Sequence, residues 1–430
     1  MQQPLKTWYI TGASRGLGRA ITAAALEAGD HVFAAARRAG ALADLAARYP
    51  HQLRTASVDV TDIAAVQQSI DNLMHAFGRV DVVVNNAGYA NLSAIEDTAP
   101  EDFRAQVDTN LFGAVNVTQA VLPVLRAQGR GRIINVSSVG GRVANAGLGA
   151  YQAAKWALNG FTEVLATEVG PLGIKVTAIE PGGMRTDWAG ASMAIPPISE
   201  PYRTSVGVLA DLFETGSVQA AGDPARVAQA IVRLSELADP PVRLLLGSDA
   251  LAGARAAAKA LADSDSIWQE FSRTTDHLDA TTDQLDPLGA GRHDPAAVVH
   301  RFIDEVVNGG NIDAIDELWH PDLRWHAGSL GDIEGIEAYK VSMRAAVGGA
   351  FTGMHLTAHD TLVDGDTVVA RFTNSGTHTG PFMGTPATGR YAQWLGIGIY
   401  TVRDGKIAEA WFGEDILGML QQLGAITLPA

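Results

Sequence analysis

The 430-residue chain contains no cysteine, which excludes disulfides, thiolate metal sites and a thiol nucleophile. It has no run of about twenty apolar residues, so no membrane span is expected. The opening MQQPLKTWYITGAS runs straight into a strand pattern with no basic, cleavable leader, and a cytoplasmic location is the expectation. No block of like charge occurs. With 32 basic and 47 acidic residues the net charge is −15, which argues against nucleic-acid binding and for a protein that handles small molecules. The 18 prolines and 46 glycines follow no low-complexity pattern, and 47% apolar residues supply real cores. Two domains are expected at this length.

What the chain does hold is a chemical constellation in SVGGRVANAGLGAYQAAK, Ser138 to Lys155. Tyr151 and Lys155 are four apart and so share one face of a helix. Ser138 precedes the tyrosine by thirteen positions, in glycine-rich sequence that can fold a strand end back toward it. A phenol of ordinary pKa (about 10) is a poor acid or base at neutral pH, and a close cation favours its phenolate. Lys155 can supply that cation while Ser138 holds a substrate oxygen. Such a set moves a proton while a hydride moves elsewhere. Taken alone, a Tyr-x-x-x-Lys pair also suits a solvated helix face, so the upstream sequence decides.

Upstream, TWYI reads as a strand, TGASRGLG (Thr11 to Gly18) as a glycine turn and AITAAALEAG as a helix. In that context Gly12, Gly16 and Gly18 let backbone approach a phosphate at the helix N-terminus, flanked by Ser14, Arg15 and Leu17. The next strand, HVFAAARR, ends at Ala36, where an NAD-binding fold usually places an acid for the ribose hydroxyl. Arg37 and Arg38 follow it, and guanidinium groups suit a 2′-phosphate, so NADP(H) is favoured over NAD. SVDVTD places Asp59, with Val60 beside it, at a third strand end, where it can accept from an adenine amino group. VDVVVNNAG is an apolar run of the buried parallel-strand kind ending in Asn86, Ala87 and Gly88. DTNLFGAVNVTQAVLP reads as one helix carrying Asn110, and IKVTAIEPGGMRT as a strand with a turn at Pro181, Gly182 and Gly183. Strands alternating with helices give an α/β fold, a doubly wound parallel sheet of Rossmann type.

With these motifs in this order, residues from about 4 to 275 resemble the short-chain dehydrogenase/reductases. The resemblance implies that Tyr151 protonates a carbonyl oxygen as hydride arrives, and that Lys155 lowers the tyrosine's pKa and holds the nicotinamide ribose. It also implies that Ser138 orients the substrate, Asn110 holds a water in a proton relay and Thr186 contacts the nicotinamide amide. Members often form dimers or tetramers through the helices carrying Asn110 and Tyr151, so a homo-oligomer is expected. The segment from Asp187 to about Gly222 is where the family varies its substrate lid; here it is apolar with proline breaks, which suits a hydrophobic or polycyclic substrate.

From Leu278 to His293 the chain loses apolar periodicity and gains Gly, Pro and Asp, the marks of a linker. The expected organisation is a domain over 1–277, a linker over 278–293 and a second domain over 294–430. In the second domain helical periods come first. Alternating runs follow, turning at Asp364-Gly365 and Asp404-Gly405, which predicts hairpins and an α+β cone with an internal pocket.

HPDLRWH, GDTVVARF, GTHTGPFMGTPATGR, DGKIAEAWFGED and LQQLG make this half, roughly Asp294 to Ile426, resemble the SnoaL-like polyketide cyclases of the nuclear-transport-factor-2-like fold. Members often carry a His and an Asp on the pocket face of the strand after the Asp-Gly turn. Here Ala408, Ala410 and Phe412 are expected on that face, and none of them moves a proton. The substitutes are His326, His359 and Asp415, with Glu414 beside the last; Asp415 equally suits a helix cap. No metal site is expected. The sequence supports a bifunctional enzyme: an NADPH-dependent ketone reductase coupled to a domain that closes, opens or isomerises a ring. The alternative is a single reductase whose second domain binds substrate or dimerises.

Overall fold

The computed structural model describes residues 5–186, 193–215, 220–277, 279–285, 294–326, 331–346 and 349–426. Most of the expected linker, and residues 187–192 and 216–219 of the expected lid, lie outside them. The chain divides into two compact units, Met1–Glu270 and Phe271–Ala430.

The first unit is built on seven parallel strands: β1 (Thr7–Thr11), β2 (His31–Ala36), β3 (Leu53–Ser57), β4 (Val82–Asn85), β5 (Gly131–Val136), β6 (Ile174–Pro181) and β7 (Arg243–Leu246), in the order β3-β2-β1-β4-β5-β6-β7. The central strands are apolar throughout because helices cover both sheet faces. Trp8 and Ile10 of β1 point into the core on one face, Tyr9 into the core on the other. Strand order reverses between β1 and β4, and a ligand crevice is expected beyond the carboxyl ends of those strands.

β3 ends at Ser57, and Asp59 follows just beyond that strand end. One local reading changes. The Asn110 segment is not one helix: Pro100–Val107 and Gly113–Gln128 are joined by a wider π-type turn over Asp108–Phe112. Gly113 follows that turn, where an added Cβ would meet Val60 Cγ2 at 2.4 Å.

The second unit carries β8 (Trp319–His326), β9 (Asp332–Glu334), β10 (Phe351–Asp364), β11 (Thr367–His378), β12 (Tyr391–Arg403) and β13 (Lys406–Glu414), in the order β10-β11-β12-β13-β8-β9. Only the β13–β8 pair is parallel. Asp404 and Gly405 both take positive φ, 51° and 72°, which makes the tight hairpin between β12 and β13. Even-numbered residues from Ala392 to Val402 are buried along β12 and odd ones are exposed up to Ile399. The inner face meets the helices Pro295–Arg301, which continues as a wide-turned segment to Asn308, and Ile336–Ala346. Phe302, Trp319, Tyr339, Phe372 and Tyr400 pack together there. No described helix is long and apolar enough to cross a membrane.

β13 keeps the expected phase at Ala410 and Phe412 and departs from it only at its start. Its pairing steps from Thr401–Glu409 to Val402–Ile407, leaving Ala408 as a bulge. The inward residues are therefore Ile407, Ala410, Phe412 and Glu414, and Ala408 drops out of the set.

Candidate active site

The first unit's crevice is a cleft of about 360 Å³ at the carboxyl ends of the strands. It is lined by every first-domain residue singled out in the sequence: the Gly12–Gly18 loop, Arg37, Asp59, Val60, Asn86 to Gly88, Asn110, Ser138, Tyr151, Lys155, Pro181, Gly182 and Thr186.

The glycine loop is held by β4. Thr11 Oγ1 accepts from the backbone N–H of Asn86 and of Ala87 (2.9 and 3.0 Å), and Asn86 Nδ2 donates to Thr11 O and Gly12 O. Gly12 has φ +62°, and an added Cβ would lie 2.8 Å from Ala87 Cα. At Gly18 a Cβ would lie 2.4 Å from both Asn86 Nδ2 and Gly12 O. Side chains at either position would break the cradle. It opens at the N-terminus of the helix Gly16–Glu27, which presents free N–H groups to an anion.

At the rim β2 ends at the buried Ala36, followed by exposed Arg37 and Arg38. Arg15 is exposed in the glycine loop. The Asp59 carboxyl accepts from Thr61 N and Oγ1 (2.9 and 2.8 Å), and these bonds, with Arg37 nearby, hold its pKa down. The cluster is a basic rim suited to a phosphate.

At the deep end Tyr151 and Lys155 face the cleft from the helix Gly149–Val169. Burial pushes the Tyr151 phenol up to about 12, opposed only partly by its hydrogen bond with Ser138. Burial pushes Lys155 down to about 8. Its ammonium donates to Val136 O at 2.8 Å and lies 5.6 Å from the tyrosine ring centroid. For the tyrosine, the rise from burial outweighs the lowering by Ser138. Ser138 Oγ also accepts from Gly140 N at 3.0 Å, which fixes the turn after β5. Asn110 Nδ2 donates to Tyr89 O and Gln106 O, both 2.8 Å, leaving Oδ1 buried with no partner among the described residues. That oxygen lies where a Cβ on Gly88 would meet it at 2.5 Å and Lys155 Nζ at 3.6 Å, an acceptor left open beside the ammonium.

Gln152 went unnoticed in the sequence. Its Oε1 accepts from Asn145 N (2.8 Å) and its Nε2 donates to Asn145 Oδ1 (3.0 Å), pinning the loop before the tyrosine helix. An apolar wall of Ala90, Leu92, Leu148, Met193 and Val206 packs around Tyr151.

The second-unit candidates are dispersed. His326 alternates with the inward Trp325 and so lies on the outer sheet face, stacked on Trp411 at 3.8 Å and 3.1 Å from Glu409. His359 is an exposed residue at a bulge in β10, bonded to Thr373 Oγ1 at 2.7 Å. Asp415 Oδ1 accepts from Gly418 N at 2.9 Å and caps the helix Ile416–Leu423. The structure does not bring these three together. The acid that faces inward is Glu414.

The short chain dehydrogenase family model matches residues 6–194, and the SnoaL-like polyketide cyclase model matches residues 297–423. The oxidoreductase BOA17 of Botryotinia fuckeliana is 48% identical over 268 residues, covering 62% of this chain and 98% of that protein. An uncharacterized oxidoreductase of Schizosaccharomyces pombe is 31% identical over 253 residues, covering 58% and 85%. The crystal structure of a short-chain dehydrogenase from Streptomyces avermitilis superposes with a TM-score of 0.60 at 38% identity, covering 64% of this chain and 100% of that one.

Proposed function

The chain belongs to the short-chain dehydrogenase/reductase family, and from that premise we propose that its first unit is an NADPH-dependent reductase of a ketone on an apolar, polyketide-like or polycyclic substrate. The observation that carries this is the Ser138–Tyr151–Lys155 set, its tyrosine and lysine buried, in a glycine-cradled cleft. The residues fit a dinucleotide: Gly12, Gly16 and Gly18 leave room for phosphate, with Ser14, Arg15 and Leu17 along the loop. Arg37 takes the 2′-phosphate, Asp59 and Val60 border the adenine, and Asn86, Ala87, Gly88, Pro181, Gly182 and Thr186 flank the ribose and nicotinamide. Bound there, NADPH supplies the hydride.

The chain's own part is proton movement. Tyr151, protonated at neutral pH, donates to the carbonyl oxygen while Ser138 holds that oxygen in line. The Lys155 ammonium stabilises the phenolate that results, and Asn110 Oδ1 accepts from a relay water beside it. The wall around Tyr151 is apolar, which suits an apolar substrate. Phe112, Trp156 and Val164, exposed on the helices that carry the site, support a homodimer or tetramer. Domain limits of 1–277 and 294–430 around a linker, and a cytoplasmic location, complete the reading.

The second unit, on this proposal, closes, opens or isomerises a ring on the reduced product. A second reading makes it a binding or dimerisation module. Ala410 and Phe412 on the inner face favour that reading, as do exposed Leu395, Ile397, Ile399 and Trp411 on the outer one.

The test replaces the host gene by intact, Tyr151→Phe and Asp286-terminated versions and compares metabolites by mass spectrometry. A compound two hydrogens lighter in the Tyr151→Phe strain, and a reduced isomer or unclosed precursor in the truncated one, is the expected result. An unchanged profile in the Tyr151→Phe strain overturns the reductase. The normal product from the truncated strain overturns the second activity and leaves the module.

A further inference from the structure

We propose that Asn145 determines specificity in the first unit's cleft: its side-chain amide donates to a second, uncharged acceptor oxygen of the substrate, as in a dicarbonyl compound, a few bonds from the ketone being reduced. The inference rests on the reading that this cleft reduces a ketone, and it names what else that ketone carries.

The orientation of the Asn145 amide follows from its neighbour. A backbone N–H can only donate, so the Gln152 atom 2.8 Å from Asn145 N is the oxygen, Oε1. Gln152 then turns Nε2, which can only donate, to Asn145 at 3.0 Å, and the atom that receives it is Oδ1. The acceptor end of Asn145 is thereby used up. Its Nδ2 has no partner among the described residues, on an exposed residue that lines the cleft.

That donor is held in place. Leu148 N donates to Asn145 O at 3.3 Å across a turn whose third residue, Gly147, has φ +89°, the pattern of a type II turn. A side chain at Gly147 would put its Cβ 2.9 Å from Val206 Cγ1, so the turn packs against the apolar wall. Gln152, buried on the helix that carries Tyr151, pins the turn from the other side. It also stands next to Ser138: Ser138 Oγ and Gln152 Nε2 lie 3.3 and 3.2 Å from one point, the position of a Cβ added to Gly140. Ser138, Gln152 and Asn145 thus run from the holder of the reacting oxygen to an open donor.

The surroundings select the class of oxygen. Among the described residues, the charged groups that line the cleft are Arg15, Arg37, Arg38 and Asp59 around the glycine loop and rim, and Lys155 beside the tyrosine. Arg142, three residues before Asn145, pairs with Glu180. A carboxylate would call for a free guanidinium here, whereas a neutral amide suits a carbonyl oxygen. The apolar wall makes one fixed donor count, because a ligand without that oxygen covers the amide and leaves it unpaired.

The test uses the full chain with NADPH and two probes that differ by one oxygen, 2,2-dimethylcyclohexane-1,3-dione and 2,2-dimethylcyclohexanone. The readout is the ratio of kcat/KM for the diketone to that for the monoketone, together with the ratio of their affinities by ligand-observed NMR with NADP+ bound. Asn145→Leu is expected to lower both ratios about tenfold, the upper range for one neutral hydrogen bond. Asn145→Asp keeps the shape and removes the donor, and should lower them at least as far; a loss of packing alone would be restored by that variant. Gln152→Leu frees the amide to rotate and should lower the ratios part of the way, through KM rather than kcat. Unchanged ratios in Asn145→Asp, or falls common to both ketones, overturn the subsite, as does failure of the diketone to bind. Preferential binding of the diketone, lost in Asn145→Asp, without reduction of either ketone upholds the subsite and overturns the reductase reading.

Discussion

The Lys155 ammonium lies 5.6 Å from the centroid of the Tyr151 ring while donating to Val136 O at 2.8 Å. Burial moves the two groups apart on the pH scale: from nearly equal ordinary values, the phenol rises to about 12 and the ammonium falls to about 8. Near neutral pH both therefore carry their protons, which is the state a carbonyl reductase needs at the start of its cycle.

Lys155 should be costly to the fold. Its native pKa of about 8 lies below the ordinary 10.5, so between those values the unfolded chain holds a proton that the native chain has lost. Stability accordingly rises with pH through that window, and the full cost persists below it. The shift corresponds to about 3 kcal/mol, offset by about 1 kcal/mol for the bond to Val136 O. Lys155→Met is expected to raise the melting temperature at pH 7 by several degrees while abolishing reduction. Calorimetry from pH 7 to 10 checks it, and the gain of the variant should shrink as pH rises. A lower melting temperature at pH 7 would show that the ammonium stabilises this site.

Arg37 should decide the cofactor. No acid stands at the end of β2, where Ala36 is buried, and the guanidinium is exposed at the rim. Arg37→Ser is expected to lower kcat/KM for NADPH by roughly 10–100-fold, the worth of one or two charge-assisted hydrogen bonds. Activity with NADH should stay within about threefold. Equal losses with both cofactors would place Arg37 outside the 2′-phosphate contact. Steady-state rates with each cofactor give the answer.

What was legible in the sequence was what short-range pattern encodes. The glycine loop, the apolar strands and the four-residue spacing of Tyr151 and Lys155 are local, and all of them converge on one cleft. Phase was legible only where a strand is regular. A single bulge at Ala408 put Ile407, not Ala408, on the inner face. Simple alternation from Trp325 carries His326 to the outer face. Asp415 went to the helix cap because its carboxylate sits three residues before an N–H that needs an acceptor. Gln152 and its partner Asn145 carried no motif. Glu180 was invisible for a different reason: its partners, Arg142, Asn159 and Arg243, come from three separate places in the chain.

Those partners allow an ordering of stabilities. Glu180 is fully buried at the end of β6, next to Pro181 of the cleft. Its Oε1 accepts from Asn159 Nδ2 (2.9 Å) and from Arg243 Nε and Nη2 (2.9 and 2.5 Å), and Oε2 lies 2.5 Å from Arg142 Nη2. Asn159 also donates to Gly141 O at 3.1 Å, so the network braces the turn that begins at Ser138. The acid has no access to water, whereas the Arg142 and Arg243 side chains are 31% and 26% exposed. Removing Arg243 therefore strands a buried charge, while removing the acid frees two cations that can turn to solvent. Arg243→Met is expected to cost about 3 kcal/mol and Arg142→Met about 1 kcal/mol, with Glu180→Gln between them. Urea unfolding of the first unit's transition measures the order. Because Arg142 follows the Ser138 turn directly, Arg142→Met should lower kcat several-fold with the NADPH affinity unchanged, and a fall in both together would mean that the network supports the whole cleft.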